Sequence, residues 1–150
     1  MSEQSLSASS ITRRYTRLRR YNVVAAVVHA IQAVTVVILS NDFSLPVTGN
    51  YMTGPPGSGS SEMVVIVDIP TGAAVAAFLA LSAVFHVIVA SQPFYGRYTA
   101  GLAQQHNYFR WVEYSLSSSL MIVLIAQLTG ITDVAALLAI FGVNASMILF

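Results

Sequence analysis

The sequence predicts an all-α integral membrane protein, and two observations carry this prediction. Hydrophobic residues make up 55% of the chain and charged residues only 9%, whereas soluble domains carry roughly 25% charged residues. The apolar residues also come in runs of about 20, the length that crosses about 30 Å of hydrocarbon as a helix. We therefore expect residues 1–150 to form a single membrane domain with four transmembrane helices.

The N-terminal part of the chain combines a basic segment with the first predicted span. Residues 1–20 contain five arginines, and the apolar stretch that follows covers residues 21–40. This stretch is longer than the apolar core of a usual secretory signal and lacks a small-residue cleavage site. It is therefore predicted to be retained as the first transmembrane helix.

Turn-forming residues interrupt the helical pattern between residues 41 and 68. They include the sequence GPPG at residues 54–57, and a β-branched run follows at residues 63–67. Such a run between turn formers is typical of a short strand, which could pair with residues 50–52 across the turn. The segment is predicted to be a β-hairpin between the first and second helices.

The remainder of the chain contains three more apolar stretches. Pro70 suits the first turn of the second helix. The predicted boundaries are residues 69–90 for the second span, 91–107 for a polar connecting loop, 108–129 for the third span and 132–150 for the fourth. Because no interfacial flank follows Phe150, we expect the chain to be part of a longer protein.

The distribution of arginines predicts the orientation in the cell membrane. All seven cationic residues are arginines: five precede the first span, and Arg97 and Arg110 flank the connection at 91–107. The hairpin segment has none. Because cytoplasmic loops are enriched in basic residues, the N-terminus is predicted to be cytoplasmic and the hairpin extracellular. The basic cluster is better explained as an anchor on anionic lipid than as a nucleic-acid site.

Glu113 is the strongest candidate for a functional residue. It lies a few residues into the third span, four residues before Ser117 and on the same helical face. A carboxylate inside a membrane must be protonated, hydrogen-bonded or paired with a cation, so it marks a functional site by default. The alternative is an interfacial glutamate that reaches the cytoplasmic surface beside Arg110.

Other polar residues of the spans form pairs at helical spacing. His29 and Gln32 share a face of the first helix, and Ser82 and His86 share a face of the second. Two histidines and a glutamate could bind zinc, but they lie on separate helices without local ligand spacing, so we favour neutral histidines in a hydrated cavity and predict no metal. There are no cysteines and no nucleophile–base motif, and no enzyme activity is expected.

Four segments resemble heliorhodopsins. They are NDFSLPVTG at residues 41–49, GPPG at 54–57, FRWVEYSLSSS at 109–119 and LAIFGVNASMILF at 138–150. The resemblance runs from about residue 20 to the end of the chain. It implies that the four helices are the first four of a seven-helix rhodopsin bundle that binds all-trans retinal as a protonated Schiff base to a lysine on helix seven. It also implies a homodimer built with the outward hairpin.

The resemblance also assigns roles to individual residues. Glu113 matches the Schiff-base counterion, and a carboxylate near a buried cation favours the charged form of both groups. The positions that match the chromophore pocket or its polar network are His29, Gln32, Ser82, His86, Asn107, Trp111, Tyr114, Ser117, Ser118, Met121 and Asn144. Among these, the two histidines match residues of a polar cavity linked to proton movement.

The chain departs from the family in one respect, since it contains no lysine. The retinal linkage therefore requires a part of the protein outside these 150 residues. The sequence predicts a light sensor that signals to an unidentified cytoplasmic partner, because Glu113 is the only acid well inside a span and a pump usually has a chain of carboxylates. The alternative is a proton pathway through Glu113, His29 and His86, and an enzyme acting on a lipid or retinoid is the least supported.

Overall fold

The computed structural model describes residues 3–59 and 61–150. It is mostly helical, with one small two-stranded sheet. In chain order the elements are α1 (Glu3–Leu39), β1 (Ser44–Met52), β2 (Ser61–Pro70), α2 (Thr71–Ala90), α3 (Gln92–Ala103), α4 (Tyr108–Leu128) and α5 (Val134–Leu149).

Three helices are long and apolar enough to cross a membrane. These candidate spans are Arg13–Leu39, Thr71–Ala90 and Tyr108–Leu128. The fourth predicted span corresponds to α5, which is apolar but only 16 residues long, below the roughly 17–25 residues of a spanning helix. The described residues therefore contain three candidate spans and one shorter apolar helix.

Small residues determine how closely these helices pack. Helix α1 packs on α2, α2 on α4, and α4 on α5. Ala26 and Ala33 of α1 are buried, as are Ala76 and Ala83 of α2. Small side chains let helix backbones approach closely where lipid provides no hydrophobic driving force. The four helices therefore pack in the order α1, α2, α4 and α5, and we call this arrangement the helical row. Polar side chains of neighbouring helices can contact one another within it.

Helix α3 corrects the prediction of a polar loop at residues 91–107, because 12 of these residues are helical. Pro93 occupies its first turn, where a missing N–H costs nothing. The helix ends in a Schellman motif: His106 N donates to Gly101 O at 2.8 Å and Gln105 N donates to Leu102 O at 3.0 Å. Two glycines and several polar residues hid this helix in the sequence pattern.

Helix α1 also differs from the prediction, since it begins at Glu3 rather than near residue 21. The arginine segment is thus helical and continuous with the first span. It contacts the far end of α2, where Arg19 Nε donates to the carbonyl of Ala90 at 2.8 Å. The arginines therefore lie at the same end of the structure as α3.

The hairpin lies at the opposite end and is tied to the α4–α5 connection. Strands β1 and β2 are antiparallel, with a bulge between Val47 and Thr48. Thr48 N donates to Thr132 O at 2.8 Å, and the two threonine hydroxyls are 3.0 Å apart. Val47 completes a buried cluster with Ala126 and Leu137. These contacts fix the hairpin against the helices.

Candidate functional site

The buried polar residues of α4 lie on two sides of the helix: Glu113 and Ser117 share one face, and Ser115 and Ser119 share the opposite face. Glu113 is 5% exposed, and Ser115, Ser117 and Ser119 are between 0% and 4% exposed. Serines are small enough to let α2 and α5 approach α4, and their hydroxyls provide hydrogen-bonding groups inside a low-dielectric region. Ser118 and Ser119 contact Asn144 of α5, and Ser115 lies one turn before Ser119 on the same side. We call these three residues the serine strip.

The carboxylate of Glu113 lies next to one cation. Arg110 Nη1 is 3.8 Å from Glu113 Oε2, and within the described part of the chain this is the only ion pair. The arginine side chain is 41% exposed, whereas that of Glu113 is 6% exposed. Arg110 also donates a hydrogen bond to the hydroxyl of Tyr114 and lies over its ring at 4.3 Å. Glu113 is therefore buried while its cationic neighbour is shared with other groups.

His86 of α2 is oriented by Asn22 of α1. Asn22 Nδ2 donates to the carbonyl of Leu18 at 3.0 Å, which directs the other amide atom, Oδ1, to His86 Nδ1 at 2.9 Å. An amide oxygen only accepts hydrogen bonds. His86 Nδ1 must therefore carry a proton, and Nε2 of the neutral ring is left as an acceptor.

His29 lies beside this pair. Its ring stacks on that of His86, with centroids 5.6 Å apart and planes at 10°. The Nδ1 atom of His29 is buried and has no hydrogen-bond partner among the described residues. A buried polar atom without a partner is costly, so this nitrogen marks a place for an additional donor or acceptor.

A small cavity joins the histidine and glutamate regions. It is lined by Asn22 and His86 on one side and by Asn107, Arg110 and Glu113 on the other, and its volume is about 10 Å³. A cavity of about 10–15 Å³ with several polar partners is enough for one water molecule. One bridging water would link the polar groups of α1, α2 and α4.

A second polar contact joins α4 to α5. Asn144 Nδ2 donates to Ser118 Oγ at 2.8 Å and lies 3.0 Å from Ser119 Oγ. Ser118 Oγ in turn donates to the carbonyl of Tyr114 at 2.7 Å. Asn144 thus holds the middle of α5 against the serine strip.

The remaining predicted residues fall into three groups. Ser82 is buried at 7% exposure on the same face of α2 as His86. Asn107 caps α4 by accepting a hydrogen bond from Arg110 N. Gln32 is exposed, and Trp111, Tyr114 and Met121 are between 38% and 41% exposed, so these four do not join the buried cluster. Trp111, Tyr114 and Met121 lie on one face of α4, and we call it the open face; Gln32 belongs to α1.

Two buried side-chain amides were missed by the sequence prediction. Asn22 is 7% exposed and Gln127 is 2% exposed, and neither side-chain nitrogen nor oxygen of Gln127 has a partner among the described residues. Asn22 follows the arginine cluster directly and looks interfacial in the sequence. Its position seven residues before His29 on one helical face was the signal that could have identified it.

Comparison with known proteins identifies the family. The heliorhodopsin family model matches residues 18–150, so the chain belongs to the heliorhodopsin family. A search of curated proteins found no match. The family is one of membrane rhodopsins rather than enzymes, and membership indicates a rhodopsin-type retinal protein.

The residues of this chain fit one side of a retinal site. The buried carboxylate of Glu113 and the buried hydroxyl of Ser117, on the same face of α4, suit a cationic group in a low-dielectric setting. The 150 residues contain no lysine to which retinal could be attached. The chain therefore has the groups that would stabilise the charge of the linkage, and the linkage itself needs a lysine from elsewhere.

Proposed function

We propose that this chain is part of a light-sensing photoreceptor that binds all-trans retinal, and that Glu113 balances the positive charge of the retinal linkage. The burial of Glu113 at 5% exposure is the observation that carries the proposal. A buried carboxylate is costly unless a cation compensates it, and the 3.8 Å contact to the half-exposed Arg110 compensates it only in part. A cation supplied by another helix would complete the site.

The proposed assembly is a seven-helix bundle. This chain would contribute α1, α2, α4 and α5 as its first four transmembrane helices. Helix α5 exposes Leu138, Val143 and Met147, each at 67% or more. Together with the open face that contains Trp111 and Tyr114, this apolar surface supports packing against further helices that carry the lysine. Aromatic and methionine side chains on that face suit a long polyene.

Retinal supplies the light-driven isomerisation, and the chain's residues set its surroundings. Glu113 holds a negative charge near the linkage. Ser118, which is held by Asn144, and Ser82 are the further hydroxyls that we propose for the surroundings of the linkage. His86 keeps a proton on Nδ1, facing Asn22, so its Nε2 is available to accept one.

Signalling, rather than ion pumping, is the output we propose. Within the three candidate spans, Glu113 is the only acidic residue. Pumps carry proton relays built from several ionisable groups across the membrane, and no second carboxylate follows Glu113 along its helix. A change of shape transmitted to a cytoplasmic partner fits this residue set better.

The test is visible absorption of the protein in its native membranes after addition of all-trans retinal. In Glu113→Gln, we expect the pH at which the visible band is lost to fall by about 1–3 units. This is the usual size of the pKa shift that a nearby opposite charge causes. Glu62→Gln, which removes an exposed hairpin carboxylate, is the matched control and should leave the band unchanged. If both variants lose the visible band at the same pH as the unsubstituted protein, the role of Glu113 is contradicted.

Intact mass after borohydride reduction tests retinal binding itself, because reduction makes the linkage permanent. We expect a mass well above 16.1 kDa, with one retinyl group added. A species of 16.1 kDa without an adduct would contradict the proposal that this chain works in a retinal photoreceptor.

The alternative function is a proton pathway through Glu113, His29 and His86. The 10 Å³ cavity that both His86 and Glu113 line favours it, because one water there would connect the two groups. Light-dependent acidification or alkalinisation of a suspension of intact cells would support this pathway. Its absence, with the visible band present, would support the sensor.

The proposed location is the cell membrane, with the N-terminus in the cytoplasm. Arg19 contacts Ala90, so the arginine segment, α3 with Arg97, and the start of α4 lie at one end. Asp42, Glu62 and Asp68 belong to the hairpin region at the other end. This separation supports the orientation expected from basic residues on the cytoplasmic side.

A second copy of this chain is the partner we propose for the hairpin. The apolar run Met63–Val67 of β2 is between 43% and 72% exposed. The sheet has two strands, so β2 pairs with β1 on one edge and leaves its other edge open. Exposed apolar edge strands favour pairing with another chain. A monomeric mass in detergent for the whole protein at micromolar concentration would contradict this homodimer.

A further inference from the structure

A cleft separates the N-terminal part of α1 from the end of α3, away from the proposed retinal site. Its volume is about 770 Å³, and the lining residues used here are Arg14, Tyr15, Arg17, Tyr21, Leu102 and Gln105. Binding sites for small molecules commonly have volumes of about 300–1,000 Å³. The cleft is therefore large enough for a ligand and combines cationic, aromatic and apolar groups.

The two arginines of the cleft are not neutralised by any side chain that the structure describes. Among the described side chains the only ion pair joins Arg110 and Glu113, and both Arg14 and Arg17 are exposed. They are one helical turn apart, so their side chains extend over the same surface. Guanidinium groups at this spacing suit an anion with several oxygens, above all a phosphate, which they bind in bidentate fashion.

Contacts outside the two cleft arginines fix the position of α1 beside the cleft. The carbonyl of Ala90 accepts a hydrogen bond from Arg19 Nε at 2.8 Å, and the hydroxyl of Tyr95 donates to the carbonyl of Tyr15. These bonds fix α1 to the junction of α2 and α3 without using Arg14 or Arg17. The two cleft arginines therefore remain available to a ligand.

The opposite wall is formed by the unusual end of α3. Gln105 has a φ of 62°, in the left-handed region that glycine normally occupies at this position of a Schellman motif. The carbonyls of Gly101 and Leu102 are both bonded to following N–H groups, which weakens the repulsion that a helix C-terminus exerts on an anion. Gln105, with its strained backbone conformation, thus takes the place that glycine usually has at this position, and it lines the cleft.

We propose that this cleft binds the phosphoryl headgroup of an anionic phospholipid. Arg14 and Arg17 would hold the phosphate, and Leu102 and Tyr21 would contact the apolar part of the lipid. The candidate span begins at Arg13, which places the cleft at the membrane interface, where tyrosine and arginine are favoured. Free phosphate shares the same chemistry and is separated from lipid by the experiment.

The test measures lipid binding by native mass spectrometry of the purified whole protein in a nonionic detergent. The probes are dioctanoyl phosphatidylglycerol, its zwitterionic phosphatidylcholine analogue, and inorganic phosphate. Arg14→Gln/Arg17→Gln should raise the Kd for phosphatidylglycerol about tenfold or more, as expected for two interfacial cations. Arg13→Gln/Arg20→Gln is the matched control, because it removes the same charge from the same segment but not from the cleft lining, and its Kd should change less than about threefold.

The outcomes separate a built site from general attraction. Equal losses in the two double variants, or equal affinity for phosphatidylcholine, would overturn the proposal. Inorganic phosphate that binds as tightly as the lipid would support the phosphoryl site with free phosphate as its source. If Arg14→Gln/Arg17→Gln does not fold, Arg17→Lys and Arg20→Lys replace the pair: loss of the planar fork should weaken binding about threefold only at position 17, and identical affinities would overturn the site.

Discussion

The imidazole rings of His29 and His86 are stacked across two helices, with centroids 5.6 Å apart. Asn22 fixes the proton on His86 Nδ1. The Nδ1 atom of His29 is buried without a partner among the described residues, so Asn22 orients only one ring of the stacked pair.

Replacing Asn22 tests how His86 is oriented. Asn22→Leu keeps the side-chain size but leaves His86 Nδ1 without its acceptor, and a buried donor without a partner costs about 1–3 kcal/mol. We expect a lower Tm in detergent, followed by circular dichroism, and a change in the ¹⁵N shifts of His86 that reports a mixed tautomer. Asn50→Leu, at an exposed hairpin position, is the control. An unaltered His86 signal would show that the hydrogen bond does not set the tautomer.

The contact between Asn144 and the serine strip predicts a specific loss of packing between α4 and α5. Asn144→Leu removes the donor to Ser118 and Ser119, and the interhelical bond is worth about 0.6–2 kcal/mol in a membrane protein. Faster amide exchange should appear in α5 before it appears in α1. Ser146→Ala, at an exposed position of α5, should leave exchange unchanged. Equal exchange in both variants would mean that Asn144 does not hold the helix.

Gly72 is required by a close approach between the ends of α1 and α2. A Cβ atom at this position would lie 2.3 Å from the Cβ of Ser40, whereas one at Gly142 would meet nothing within 4 Å. Gly72→Ala should therefore destabilise the protein by about 1–3 kcal/mol through overpacking. Gly142→Ala should be neutral or raise the Tm, because alanine favours the helix. Thermal unfolding of both variants in the same detergent gives the comparison, and Ser40→Gly should restore the Gly72→Ala variant.

Tyr95 predicts a loss of stability at alkaline pH. Its burial raises the pKa of the phenol above the ordinary value of 10, with smaller opposing effects from Arg19 and smaller reinforcing ones from Tyr98 and Tyr15. The folded state thus holds this proton more tightly than the unfolded chain, so the stabilisation is complete below pH 10 and is lost as the pH rises through the folded-state pKa. A phenolate also cannot donate to the Tyr15 carbonyl.

The measurement is the Tm between pH 8 and pH 11 for the unsubstituted protein and for Tyr95→Phe. We expect the phenylalanine variant to be less stable at pH 8 but to lose less stability on alkalinisation. Tyr51→Phe, at an exposed hairpin position, is the control for tyrosine ionisation in general. Parallel curves for all three proteins would contradict the assignment to Tyr95.

The sequence was sufficient to predict the membrane class and the hairpin, because both depend on local composition. Runs of about 20 apolar residues define spans, and turn formers beside β-branched residues define strands. It did not predict that β1 begins at Ser44, because Pro46 looked like a breaker. In a two-stranded sheet each strand has an unpaired edge, and proline is tolerated there.

The sequence predicted which polar residues belong to the candidate site, but not how they contact one another. Glu113 stood out because an acid inside a span is rare, and its burial agrees with that expectation. The partner of His86 could not be inferred, since the contact to Asn22 joins residues 64 positions apart. The exposure of Gln32 could not be inferred either. Its spacing from His29 predicts a shared helical face, but it does not show whether another helix covers that face.

The bond between Thr48 and Thr132 has a consequence for the order of assembly. The hairpin is synthesised before α2, but the groups that hold it come 84 residues later in the chain. Contacts at such separation pay a large loop-closure entropy and form late in folding. The hairpin end of this protein therefore acquires its final shape only after α4 has been inserted, and a defect in α4 would appear as a loose hairpin.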